Sequence, residues 1–223
     1  MSSDVLVHIL LVLVGFVLST AVHEWAHAWT ADRLGDPTPK SQGRLTLDPT
    51  AHIDPLGTLL FPVLGAATGG FLFGWARPVE FRPGLFRRDV TMRRGTLLVA
   101  AAGPLSNLAL GLLCALLLAG LGLATGGMTE AHSAAGTVEA LALLLRVGVT
   151  INVVLLFFNL LPVAPLDGFR VLEATLGADH PTVRFIEQNR FILFLAVILV
   201  GWRLIAPLVS MTEGWLMQVA ALG

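Results

Sequence analysis

The apolar run from Val5 to Trp29 carries Val22-His23-Glu24-Trp25-Ala26-His27 near its end. No other stretch limits the fold of this chain so tightly. The run exceeds the roughly 20 residues needed to cross a bilayer and reads as a membrane helix. On a helix, residues four apart lie about 40° apart around the axis, so both imidazoles leave on one face. Glu24, beside the first histidine, can reach a water held by a metal that those imidazoles would bind. His-Glu-x-x-His is the zinc-hydrolase pattern. A carboxylate deep in hydrocarbon costs at least about 2 to 3 kcal/mol, so such a residue marks a functional site by default.

The remaining sequence agrees with a membrane protein. Of 223 residues, 55% are hydrophobic and 13% charged, against about 25% charged in a soluble domain. The formal net charge of -1 gives no basic signal for nucleic acid. The single cysteine, Cys114, excludes an internal disulfide and a cysteine-based metal site. The N-terminus lacks a basic n-region, and its apolar run leads into the His-Glu motif instead of a cleavage site, so a signal peptide is not expected.

In chain order, four spans are expected at about 4–31, 95–124, 138–161 and 191–209. The run Leu56–Phe73 contains Pro62, Gly65, Gly69 and Gly70. It fits either a full span or a re-entrant segment. Gly43-Arg44-Leu45-Thr46-Leu47 alternates like a short strand, and Phe73 to Phe81 looks extended and interfacial. The expected fold is thus all-α and polytopic: four transmembrane helices, a re-entrant segment and short membrane-associated β-strands in one domain, 1–223.

Charge decides the topology. Arg33, Lys40 and Arg44, then Arg77, Arg82, Arg87, Arg88, Arg93 and Arg94, then Arg170, Arg184 and Arg190 fall in three loops. The N-terminal tip, the connector 125–136 and the tail after Met211 carry no Lys or Arg. The positive-inside rule puts the three basic loops in the cytoplasm and both termini outside. Both loops flanking 56–73 are then on one side, which makes that run re-entrant. The His-Glu motif, Gly103-Pro104-x-x-Asn107 and Leu166-Asp167-Gly168 come to the same cytoplasmic end.

A catalytic zinc site has three protein ligands and an open position. After His23 and His27, the candidates for the third are Asp167, His52, Asp48, Asp54, Glu80 and, more remotely, His132 and His180. Asp167 is best placed: it follows a span returning to that end, in a turn shaped by Pro162, Pro165 and Gly168. With His23-Glu24-x-x-His27, Gly103-Pro104-x-x-Asn107 and Asn159-x-x-Pro162-x-x-Pro165-Leu166-Asp167-Gly168 in this order, the chain resembles the site-2 protease family of intramembrane zinc metalloproteases. The stretch from Gly43 to Val79 resembles the small bacterial members, without an inserted PDZ domain or a CBS pair.

The resemblance implies one Zn2+ per chain held by His23, His27 and Asp167, with Glu24 as general base toward a metal-activated water. It implies Asn159 and Asn107 as hydrogen-bond donors to substrate. His52 reads either as an auxiliary site residue or as an interfacial residue opening the re-entrant run. The expected partners are a membrane-anchored protein substrate, unwound before it is cut, and the lipid bilayer of a bacterial cytoplasmic membrane. An alternative is a metal-binding membrane transporter or sensor without peptidase activity. That would need a polar path to both faces, and the outer halves of the spans offer few acids or histidines.

Overall fold

A computed structural model describes residues 3–68, 74–125 and 135–221. Its helices are α1 (Ser3–Arg33), α2 (Thr38–Ser41), α3 (Phe61–Thr68), α4 (Met92–Thr125), α5 (Ala135–Asn159), α6 (Asp167–Leu176), α7 (Pro181–Gln188) and α8 (Arg190–Ala220). Four of them, α1, α4, α5 and α8, are long and apolar enough to cross a membrane. A wide helical stretch, Pro55–Leu60, leads into α3. Residues 69–73 of the expected re-entrant run, and the expected connector's 126–134 with His132, lie outside the described residues.

α4 is the centre of the bundle and packs against α1, α5, α6 and α8. One stripe along it is buried: Gly95, Val99, Gly103, Asn107, Gly111, Ala115 and Leu118. The steps of three and four put these positions on one helix face, and most are small. Between membrane helices there is little hydrophobic drive, because lipid is as apolar as leucine, so close backbone approach across small residues is what holds them. Leu105, Leu116 and Leu123 on the other side are exposed, as a lipid-facing surface requires.

Long helices consecutive in the chain run antiparallel. His27 meets Val99 while Asn107 meets His23. Asn107 also meets Asn152, and Thr150 meets Glu213. The C-terminal ends of α1 and α5 therefore gather with the N-terminal ends of α4 and α8.

The helices differ from the expected spans chiefly in α8. It continues past Val209 to Ala220 and includes Pro207 and Glu213. On this extension Glu213 Oε1 accepts the Thr150 hydroxyl at 2.5 Å. That partner on α5 makes the acid tolerable inside the bundle.

The expected β-strands are a correction: the described residues contain no strand. In 74–81 alternate backbone N–H groups find partners on three separate segments. Trp75 N–H donates to Gly57 O (3.1 Å), Arg77 N–H to His52 O (2.9 Å), and Val79 N–H to the Glu24 carboxylate (2.8 Å). Pro78 has no N–H to give. Near Gly43–Leu47 it is the Arg44 guanidinium that binds, to the carbonyls of Ala51 and Arg77. Gly43 turns with a φ of 71° and Leu45 and Thr46 bend, so only 74–81 runs extended, and it shares no ladder, which is what makes a strand.

Candidate metal centre

His23, Glu24 and His27 are buried on the inner side of α1. Asp167 opens α6, and the chain reaches it through the tight stretch 160–166. That fold-back depends on Gly168, because a Cβ there would stand 2.3 Å from Leu160 O. The result brings Asp167 Oδ2 to 3.2 Å from both His23 Nε2 and His27 Nε2, which are 3.0 Å from each other. Among the described residues these three form the one cluster of His, Cys, Asp and Glu able to hold a metal ion.

The donor chemistry fits zinc. His27 Nδ1 lies 2.7 Å from Val99 O, and a carbonyl only accepts, so that nitrogen carries the proton and Nε2 keeps its lone pair. His23 Nδ1 lies 2.7 Å from Asn107 Oδ1. Asp167 Oδ2 is buried and has no hydrogen-bond partner, although a buried carboxylate oxygen ordinarily finds one. Two imidazole lone pairs and an orphaned carboxylate oxygen converging in a buried place are what a cation site requires. Ligands about 2.0–2.1 Å from a tetrahedral zinc stand about 3.3 Å apart, close to the spacing seen here.

Gly103 closes the floor of the cluster. A Cβ at this position would lie 2.4 Å from His27 Nε2 and 2.6 Å from His23 Nε2. The Gly-Pro step of the Gly103 motif therefore makes room for the imidazoles themselves, beyond any general benefit to helix packing.

A cavity of about 320 Å³ opens beside the cluster, with Thr20, Glu24, Trp75, Phe158, Asn159 and Arg170 among its walls. Glu24 is buried, and the Val79 N–H holds its Oε2. The Arg170 guanidinium lies 4.9 Å from the Phe81 ring, linking α6 to the segment that covers Glu24. Asn159 lines the cavity while its Nδ2 donates to Leu155 O at 3.0 Å.

Two expected site residues stand elsewhere. Asn107 is fully buried off the cavity wall, with Oδ1 on His23 and Nδ2 on Asn152. His52 is also buried off the wall, and its Nε2 meets Thr46 O at 2.9 Å while its own carbonyl holds Arg77. Burial pushes the His52 imidazole below its ordinary value, against the Thr46 carbonyl, which raises it. The neutral ring thus knots the loop that supports residues 74–81. Of the other candidate ligands, Asp48 and Asp54 cap short helical turns through Thr50 N–H and Leu56 N–H. Glu80 accepts from Gln42, and His180 caps α7.

Sequence reasoning missed three contributors: the Val99 carbonyl, the Val79 amide and Asn152. Backbone groups carry no sequence signature. Asn152 did leave a trace, since it lies seven residues, or two turns, before Asn159 on the same helix.

Residues 79–201 match the family described as Peptidase family M50. The chain is 38% identical over 189 residues to "Putative zinc metalloprotease YwhC" of Bacillus subtilis (strain 168), covering 83% of this chain and 78% of the relative. It is 34% identical over 197 residues to "Putative zinc metalloprotease Rip2" of Mycobacterium tuberculosis (strain ATCC 35801 / TMC 107 / Erdman), covering 86% of this chain and 69% of the relative. No solved structure matches the chain.

Proposed function

The chain belongs to peptidase family M50, the site-2 proteases, and from that premise we propose that this multi-pass membrane metalloprotease cuts a peptide bond in or near a transmembrane segment of a membrane-anchored substrate. The observation that carries the reading is the convergence of His23, His27 and Asp167 beside Glu24 at the edge of one cavity.

His23, His27 and Asp167 would hold one zinc ion through Nε2, Nε2 and Oδ2. When bound, zinc supplies a water made acidic enough to ionise near neutral pH and a Lewis acid for the scissile carbonyl. Glu24 takes a proton from the attacking water as its oxygen bonds to the carbonyl carbon. It returns that proton to the leaving nitrogen as the carbon–nitrogen bond breaks. The Val79 N–H fixes one carboxylate oxygen and leaves the other for this traffic. Asn159, on the cavity wall, is the donor we assign to the substrate backbone. Asn107 has a different task, orienting His23, in place of the substrate contact expected for it. His52 supports the covering segment instead of acting as an auxiliary site residue.

The topology belongs to the same proposal. The chain between Gly57 and Trp75 begins and ends side by side, since Trp75 N–H bonds to Gly57 O and Thr58 Oγ to Trp75 O (2.8 Å), which supports a re-entrant run. With the basic loops at the metal end, the site faces the cytoplasm of a bacterial cell and both termini lie outside. The test is cleavage of a single-span substrate by the purified zinc-loaded protein in detergent. Glu24→Gln should abolish cleavage while zinc stays bound; a variant that cuts at the unmodified rate would overturn the mechanism.

A further inference from the structure

Behind His23 runs a chain of buried amides that extends from Asn107 of the Gly103-Pro104 motif to Asn152, which lies outside every motif. Asn107 Oδ1 meets His23 Nδ1 at 2.7 Å, and Asn107 Nδ2 donates to Asn152 Oδ1 at 2.9 Å. Asn152 Nδ2 then donates to Gly148 O at 2.8 Å and to Ser19 Oγ at 2.9 Å. All three side chains are at most 2% exposed, so none can turn to water for an alternative partner.

The order of atoms along this chain is forced from its far end. The Gly148 carbonyl can only accept, so the Asn152 nitrogen must face it. The Asn152 oxygen must then face Asn107, which turns the Asn107 nitrogen toward Asn152 and its oxygen toward His23. An oxygen there requires a proton on His23 Nδ1, which leaves the Nε2 lone pair pointing at His27 and Asp167. Reversing either amide would set nitrogen against nitrogen or oxygen against oxygen in a place without water. His27 needs no such relay, because Val99 O is already an acceptor that cannot be reversed.

We propose that Asn152 is a positioning residue for the metal: it fixes the orientation of the Asn107 amide and thereby the tautomer in which His23 offers Nε2. The inference rests on the zinc-site reading above. It says what an asparagine of α5, which touches no ligand atom, does for a histidine of α1. It also explains why an amide is needed at 107 and at 152. Each must accept on one side and donate on the other.

The test measures zinc affinity of the full-length protein in detergent by competition with a chromogenic chelator. Asn152→Leu removes the anchor and should lower zinc affinity about ten- to a hundred-fold, the usual effect of losing an outer partner of a metal ligand. Asn107→Asp in the Asn152→Leu background should recover most of that loss. A carboxylate presents an oxygen to His23 Nδ1 whichever way it turns and needs no orienting neighbour. A residue that merely packed α4 against α5 would not be rescued by a charge change at 107. Unchanged affinity in Asn152→Leu, or a double variant as weak as Asn152→Leu alone, overturns the assignment of Asn152 while leaving the zinc site standing. Failure of the unmodified protein to bind zinc would instead remove the site reading on which it rests.

Discussion

Two sides of α5 use opposite chemistry. Toward α1 and α4, Asn152 is buried in a chain of hydrogen bonds that ends on His23. Toward α8, Val149 and Val153 are fully buried in an apolar cluster with Ala115, Ile205, Val209 and Leu216. Apart from the Thr150–Glu213 bond, the contact with α8 depends on volume, so its geometry is set by van der Waals fit. The polar side depends on direction, because each buried donor must meet an acceptor or lose several kcal/mol of hydration in hydrocarbon. Helices carrying both sides hold the His23–His27–Asp167 cluster through one face while the other packs α8 onto the bundle. The same contrast runs along α4, where a Cβ at Gly103 would collide with the histidines and one at Gly111 would meet Asn152 and Leu216 at ordinary contact distances.

Substitutions on the two sides should separate activity from stability. Glu24→Gln should have the largest effect, a fall in cleavage rate of about a hundred- to ten-thousand-fold with zinc content unchanged, read by substrate cleavage beside metal analysis. Gly103→Ala should follow. Its methyl would overlap His27 Nε2 at 2.4 Å, so zinc affinity and cleavage should fall together by about ten-fold or more. If Gly103→Ala keeps normal zinc affinity, the close approach of α4 to the ligands is not what the contrast claims. Val153→Ala, on the apolar side, should lower stability by about 1–2 kcal/mol through lost packing. Thermal unfolding in detergent would show that loss while zinc affinity stays within two-fold, roughly the scatter of a neutral change. Gly111→Ala should do least, about 0.5 kcal/mol or below, since its Cβ would meet Asn152 Cβ at 3.5 Å and Leu216 Cδ1 at 3.7 Å. A large loss of zinc in Gly111→Ala would show that the relay through Asn152 tolerates no displacement at all.

The long helices were legible because twenty apolar residues in a row have few other fates. The expected span 191–209 falls short of α8, which runs on to Ala220 with Glu213 bonded to Thr150, 63 residues away. The strands near Leu45 and Val79 were misread because alternation and extension describe one chain, whereas a strand is a relation between two. In the structure Arg44 and Glu24 take the places a ladder would have filled. The sequence marks Asn107 as a substrate contact, whereas in the structure its Oδ1 faces His23, a partner on another helix that spacing along α4 does not reveal.

By itself the sequence determined a membrane chain with zinc-hydrolase chemistry on its first helix, because residue spacing on one helix fixes which side chains share a face. It also marked Asp167, through turn residues and a charge count that brings that turn to the same end. Only the tertiary structure decided how the donors are aimed. It set the Val99 carbonyl behind His27, the Gly148–Asn152–Asn107 relay behind His23, and the Val79 amide on Glu24. Those are contacts between segments far apart in the chain, and several are made by backbone atoms that every residue possesses. Residue identity cannot encode them; the packing of helices does.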